Sequence, residues 1–357
     1  MMFNGILSGD LPRSRVLVVV LIAILLGLLL TPFLLPGAKA LNVAAKICIF
    51  IVLVASFDLL LGYTGIVSFA HTMFFGIGAY GVAIALNDLG PTWWAVAVGL
   101  SGALVVSLVL SLVIGLFSLR VKAIFYAMIT LAVATAFQTL ASQLSDFTGG
   151  EDGLSFKIPE LLSPSFSLRD QPFLGVSLDG RLISYYLLAA VTVALFLLML
   201  RIVNSPFGRV LQAIRENPFR AEALGYRTVV YRTASNVLSA GFATLAGALL
   251  ALWLRYNGPD TSLSFEIMIN ILLMVVIGGM GTMYGAVVGT TLFIIAENYL
   301  QDLLKLASGA VAGVPVLRDV VHPDRWLLWL GLLFVLSVYK FPTGIVGKLR
   351  ARIRGAA

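Results

Sequence analysis

The chain has 357 residues, is 60% hydrophobic and only 11% charged, against about a quarter charged in soluble domains. That balance excludes a soluble globular protein and points to one that crosses a membrane many times. The net charge of +7 sits in short clusters between apolar runs, the pattern of orientation signals and not of a nucleic-acid surface.

Runs of about 20 apolar residues mark membrane spans. They predict crossings at 16–36, 41–61, 66–86, 93–119, 123–143, 183–203, 233–254, 267–282, 286–304 and 326–341. The expected fold is an all-α polytopic membrane protein with about ten transmembrane helices, built as a single transmembrane domain over 1–357. Arg13 and Arg15 precede the first run, and Ala38-Lys39-Ala40 resembles a signal-peptidase site. A signal-peptide core is usually about 7–15 residues, so this longer run reads as a retained first helix. The eighth and last runs are short, which predicts tilted, broken or re-entrant segments.

Between the second and third runs lies "SFDLLLGYTGIVSFAHTMFFGIGAYG", 56–81. Asp58, Gly62, Tyr63, Thr64, Gly65, Ser68 and His71 crowd this break and are candidates for a substrate path. Glycines permit unwound backbone, which at membrane depth must line a cavity or be buried in protein, and broken helices form substrate sites in transporters. The same residues also read as a tight inter-helix turn. An isolated carboxylate such as Asp58 costs roughly 2.5–3.5 kcal/mol on insertion scales, so it should be paired, protonated or facing water. Glu297 is the other candidate intramembrane carboxylate.

The segment 144–182 carries six acids against three basic residues and is expected as a periplasmic loop. Gly149, Gly150, Glu151, Asp152 and Gly153 make its turn, and Pro159, Pro164 and Pro172 predict irregular structure beyond it. With an inside N-terminus, ten crossings place Arg120, Lys122, the six arginines of 201–232 and the basic tail (Lys348, Arg350, Arg352, Arg354) on one side. Both termini are therefore expected in the cytoplasm. Lys39 and Lys46 are mild exceptions near the outer end.

The segment 204–232 is expected as a cytoplasmic coupling loop. Phe207, Val210, Leu211 and Ile214 fall on one helical face. A second, two-turn helix follows: Asn217 as N-cap, Pro218 at the first helical position, then Arg220, Ala221, Glu222, Ala223 and Leu224, with Gly225 to end it. So short a helix is unstable alone and must be held by packing on the membrane helices at either side. Held rigidly, it can transmit a push. Further on, "IGGMGTMYGAVVG" places Gly281, Gly285 and Gly289 at small-x-x-x-small spacing for helix packing, and Gly278 and Gly279 permit a bend.

Much catalytic equipment is missing from the sequence. It has no G-x-x-x-x-G-K-[ST] phosphate loop, no H-E-x-x-H and no G-x-S-x-G. With one cysteine, Cys48, and two distant histidines, His71 and His322, neither an internal disulfide nor a metal site is expected. The chain thus lacks an ATP site of its own, and the scarcity of intramembrane ionisable residues argues against a proton-coupled carrier.

"GRVLQAIRENPFRAEALGYRTVVYR", 208–232, resembles the cytoplasmic loop of bacterial ABC-importer permeases of the branched-chain amino acid, LivM, type. "LLLGYTGIVSFAHTMFFGIGAYG", "TGGEDGL", "IGGMGTMYGAVVG" and the tail "YKFPTGIVG" resemble further stretches of that family, in order, over most of 50–347. Asp58 stands where Asn is frequent in the family, and Phe69-Ala70 where Leu-Gly is. The resemblance implies a non-enzymatic subunit of the bacterial inner membrane, working by alternating access. It implies docking of 217–225 on an ATPase subunit, a second permease subunit, two ATP-binding subunits holding ATP and Mg²⁺, and a periplasmic binding protein. No cofactor is implied in this chain, and no nucleic-acid partner. The cargo implied is branched-chain amino acids, with urea, short amides or small aromatic or carboxylic acids as alternatives. The competing readings are a stand-alone secondary carrier and an intramembrane enzyme using Asp58 and His71 as an acid–base pair.

Overall fold

The computed structural model describes residues 14–35, 37–118, 123–167, 179–310 and 322–354. Arg13, Arg120, Lys122 and Pro172 lie outside them. The long helices are α1 (Arg15–Leu34), α2 (Ala38–Thr64), α3 (His71–Leu89), α4 (Trp93–Ser118), α5 (Ala123–Gln143) and α6 (Gly180–Asn204). Next come α7 (Pro206–Glu216), α8 (Pro218–Ala223), α9 (Thr228–Leu254), α10 (Phe265–Gly278), α11 (Met283–Ala310), α12 (Trp326–Lys340) and α13 (Gly344–Arg354). Among the described residues, 9 helical stretches are long and apolar enough to cross a membrane. The tenth expected span, 286–304, lies inside α11. That helix is 28 residues long, or about 42 Å at ~1.5 Å per residue, but its far half carries Glu297, Asp302 and Lys305.

Helix α2 is apolar on all sides, and such a helix must be buried. It forms the axis of the bundle: every residue from Ile47 to Thr64 is buried, with α6, α9, α10 and α11 packed around it and Phe75 and His71 of α3 in ring contact with its Phe50 and Phe57. In contrast, α1, α4 and α12 expose aliphatic side chains such as Val19, Val105 and Val335, as lipid-facing helices do. Buried hydroxyls and amides join the inner helices, the usual glue where lipid supplies no hydrophobic drive. Ser239 Oγ donates to Ser56 O at 2.6 Å, and Asn236 Nδ2 donates to Ser111 O at 2.8 Å. In α1, Pro32 has no N–H to offer Leu28 O. Tyr185 Oη donates to that carbonyl instead, at 2.5 Å.

Two ends of the bundle differ in charge. The segment 201–232 and the start of α13 lie together at one, the basic end. At the opposite end Lys39 Nζ pairs with Asp302 at 2.5 Å and Lys46 Nζ with Glu297 at 2.8 Å. The two lysines that stood apart from the charge pattern are thus matched by acids of α11. The described part of 144–182 also covers this end. Phe156, Ile158 and Leu162 are buried against α3 and α9, and Leu154–Ser155 pairs antiparallel with Tyr256–Asn257. The turn Gly149–Gly153 packs on that pair, where Tyr256 Oη donates to Asp152 O at 3.0 Å.

The chain folds back into the bundle twice. Helix α2 ends at Thr64 with Gly65 left-handed, and α3 starts only at His71, so the predicted span at 66–86 opens with five non-helical residues. His71 already lies beside Ser56, two turns up α2 from Thr64. From the other end, the chain after α9 returns so that Leu263 and Ser262 sit against Gly76 of α3. This is why α10 has only 14 residues.

The closest helix contact is between α3 and α9. A Cβ on Gly247 would stand 1.8 Å from Phe75 O, whereas one on Gly102 would meet nothing within 4 Å. Gly247→Ala is expected to destabilise the protein by about 1–3 kcal/mol and Gly102→Ala to leave it unchanged, measured by thermal unfolding in detergent. Equal melting of the two variants would contradict this packing.

Candidate functional site

At the basic end, α2, α7 and the turn between α10 and α11 meet at one point. Asp58, the one carboxylate in the largely apolar middle of α2, is 1% exposed. Its Oδ1 accepts the backbone N–H of Gly281 at 2.8 Å. Gly281 has φ +78°, a left-handed conformation that favours glycine, and this aims its N–H at the carboxylate. Gly62 lies one turn along from Asp58. A Cβ there would stand 2.0 Å from Asp58 Oδ1 and 2.3 Å from Gly281 N. The missing side chain is therefore what lets the turn approach α2.

Arg215, on α7, closes the other side. Its Nη1 donates to Gly62 O, and its guanidinium acts electrostatically on Asp58. The buried carboxylate thus has a backbone donor on Oδ1 and an opposing charge nearby, while its Oδ2 has no hydrogen-bond partner among the described residues. The start of α13 completes the junction, with the Gly344 backbone in close contact with Gly279.

Helix α7 is fixed by its apolar face. Leu211 and Ile214 are 0% exposed, and the Phe207 ring stacks on Tyr231 at 5.7 Å. Asn217 Oδ1 accepts Arg220 N at 3.0 Å and so caps α8. The helix stops at Ala223, with Leu224 as its cap and Gly225 at φ +91°. Ala221 is buried. Glu222 accepts a hydrogen bond from Thr228 Oγ1 at 2.6 Å, which ties α8 to the first turn of α9. Phe219 and Leu224 are 81% and 72% exposed.

Of the residues around the break, Asp58, Gly62, Tyr63, Thr64, Ser68 and His71 are buried within this chain and Gly65 is exposed. His71 Nε2 is 2.9 Å from Ser56 Oγ and 3.2 Å from Leu53 O. Asp58 and His71 make no ion pair, so the structure does not bring together the acid–base pair of the enzyme reading. Thr64 Oγ1 lies 2.9 Å from Ser235 Oγ. Thr130 Oγ1 takes the N–H of Phe69 at 3.0 Å, one of the donors that non-helical backbone leaves open.

Among the packing glycines, Gly278, Gly285 and Gly289 lie between α10 and α11. A Cβ on Gly289 would be 2.1 Å from Met274 O. Gly279 and Gly281 belong to the turn instead. Sequence reading missed Arg215 and Thr228 as partners. Arg215 is one of six arginines between 201 and 232, and nothing in their spacing singles it out.

Most of the chain is similar to known proteins. Residues 39–338 match the family model for the branched-chain amino acid transport system / permease component. The chain belongs to this permease family. LivM of Salmonella typhimurium, a high-affinity branched-chain amino acid transport system permease protein, is 27% identical over 319 residues, 86% of this chain and 74% of the relative. The probable LivM of Methanocaldococcus jannaschii is 25% identical over 296 residues, 79% of this chain and 80% of the relative. LivH of Salmonella typhimurium is 23% identical over 301 residues, 82% of this chain and 89% of the relative. One organism thus holds two permease proteins similar to this one. No solved structure matches the chain.

In this permease the junction has no room for another atom at Gly62. Gly62→Ala is expected to displace the 279–282 turn and destabilise the protein by about 1–3 kcal/mol. Thermal unfolding and protease sensitivity of the turn would measure this, and wild-type values in both would contradict the assignment.

Proposed function

We propose that this chain is one permease subunit of an ATP-driven importer. It carries branched-chain amino acids, or small polar solutes like them, across the bacterial inner membrane by alternating access. The basic end is cytoplasmic, by the positive-inside rule, and the acidic 144–182 loop is periplasmic. ATP and Mg²⁺ act in two separate ATP-binding subunits, a second permease subunit completes the path, and a periplasmic binding protein delivers the solute. The family and the names of the relatives support the cargo.

One observation carries the coupling role: α8 is capped, exposes Phe219 and Leu224, and is bonded to spanning helices on both sides. Glu222 holds it to Thr228 of α9. Through α7, Arg215 holds it to Gly62 of α2. Exposed large apolar side chains beside charged ones suit a protein partner. A partner that displaces α8 then moves α9 and the end of α2 together. Because α2 is the buried axis, that movement reaches the α10–α11 turn through Gly281 and Asp58.

Phe219→Asp and Leu224→Asp leave the fold intact, since neither side chain is buried. Each is expected to cut uptake more than tenfold at unchanged abundance in the membrane, and to release the ATPase subunits on purification. Glu222→Lys is expected to lose uptake as well. Normal uptake in all three variants would sink the coupling role.

A further inference from the structure

Helix α10 reads FEIMINILLMVVIG, and Glu266 and Asn270 are its only polar side chains. They lie one turn apart, on one face. Phe265 and Ile269 share that side and are each 42% exposed. Met268, Ile271 and Met274 point inward and are buried. Glu266 is exposed and Asn270 half-buried, and neither has an ion pair or side-chain hydrogen bond among the described residues.

The depth of this face follows from the junction. Gly278 closes α10 beside the turn that bonds to Asp58, and Asp58 lies six residues, about 9 Å, from the basic end of α2. Asn270 is about 12 Å further along α10 and Glu266 about 18 Å. Against the roughly 40 Å length of α2, both fall within the hydrocarbon core of a bilayer, which is about 30 Å thick. An aromatic contact shows that α10 is tilted, since it brings the start of α10 nearer the basic end than these lengths along its axis. The Phe265 ring lies 6.0 Å from that of Phe69, two residues before His71. The two fold-backs, entering from opposite ends, therefore meet at mid-depth.

A carboxylate at this depth does not face acyl chains, and non-helical backbone there requires protein or water around it. The exposed sides of α1, α4 and α12 are mainly apolar and carry no carboxylate, so the α10 face is set apart from them. We propose that the face bearing Phe265, Glu266, Ile269 and Asn270, with Phe69, lines the aqueous translocation path, and that Glu266 and Asn270 receive the ammonium group of a zwitterionic solute. The carboxylate and the amide oxygen both accept from an ammonium, which has three donors. Ile269 and Phe265 offer apolar contact to an aliphatic side chain. The solute assignment rests on the importer reading; the path assignment does not.

The test uses the assembled importer in membranes. In a Cys48→Ala background, Glu266→Cys, Asn270→Cys and the lipid-facing control Val105→Cys are treated with a charged, water-soluble methanethiosulfonate. The first two are expected to label at least tenfold faster than the control. Labelling as slow as the control at both positions would overturn the path assignment, whatever the cargo or energy source. Leucine uptake is then expected to fall at least tenfold in Glu266→Gln and to be kept in Glu266→Asp. Undiminished uptake in Glu266→Gln would overturn the ammonium role while leaving the importer reading standing.

Discussion

The hydrogen bond from the Gly281 amide to the Asp58 carboxylate is the constraint on which the rest of this structure depends. It joins the buried axis of the bundle to the turn between α10 and α11, 223 positions further along the chain. It exists only because Gly62 has no side chain and Gly281 can adopt a left-handed conformation. Arg215 then brings the coupling segment to the same point. In the proposed mechanism this makes the junction a transmission element: the helix that meets the ATPase and the helices that bound the path share one rigid contact.

A charged group inside such a contact has a physical logic. A buried carboxylate is costly unless it is bonded and faced by opposing charge. Asp58 has its Oδ1 bonded and Arg215 nearby only when α2, α7 and the turn are in register, and its Oδ2 has no hydrogen-bond partner among the described residues. Removing one partner leaves a charge without compensation, so the arrangement favours a single geometry over many apolar alternatives. The small residues around it, Gly62, Gly279 and Gly344, serve the same end by letting backbone approach backbone.

Much of this was legible in the sequence. The spanning helices follow from apolar runs, and α8 from its cap, its proline and its closing glycine. Asp58 announced itself as an isolated carboxylate in an apolar helix. What the sequence could not supply were partners distant along the chain, because periodicity reports only local faces. Gly281 reads as one more glycine in a packing stripe, yet it is the donor to Asp58. Glu266 was hidden for a different reason. The predicted span began at 267, just after it, which placed the carboxylate outside the membrane. The chain from 256 to 264 in fact folds back, and this lowers Glu266 to mid-depth. Hydropathy windows assume that a span begins at the membrane surface, and re-entrant segments break that assumption.

The central claim is that motion at α8 travels through the junction to the far end of α11. Spin labels at Val230, in the first turn of α9 that Glu222 ties to α8, and at Leu303, both exposed in this chain, would measure it in the assembled importer. The account predicts that the 230–303 distance distribution shifts between ATP-bound and nucleotide-free states, and that Arg215→Ala abolishes the shift while ATP still binds. An identical distribution in both states, or a shift undiminished in Arg215→Ala, would contradict it.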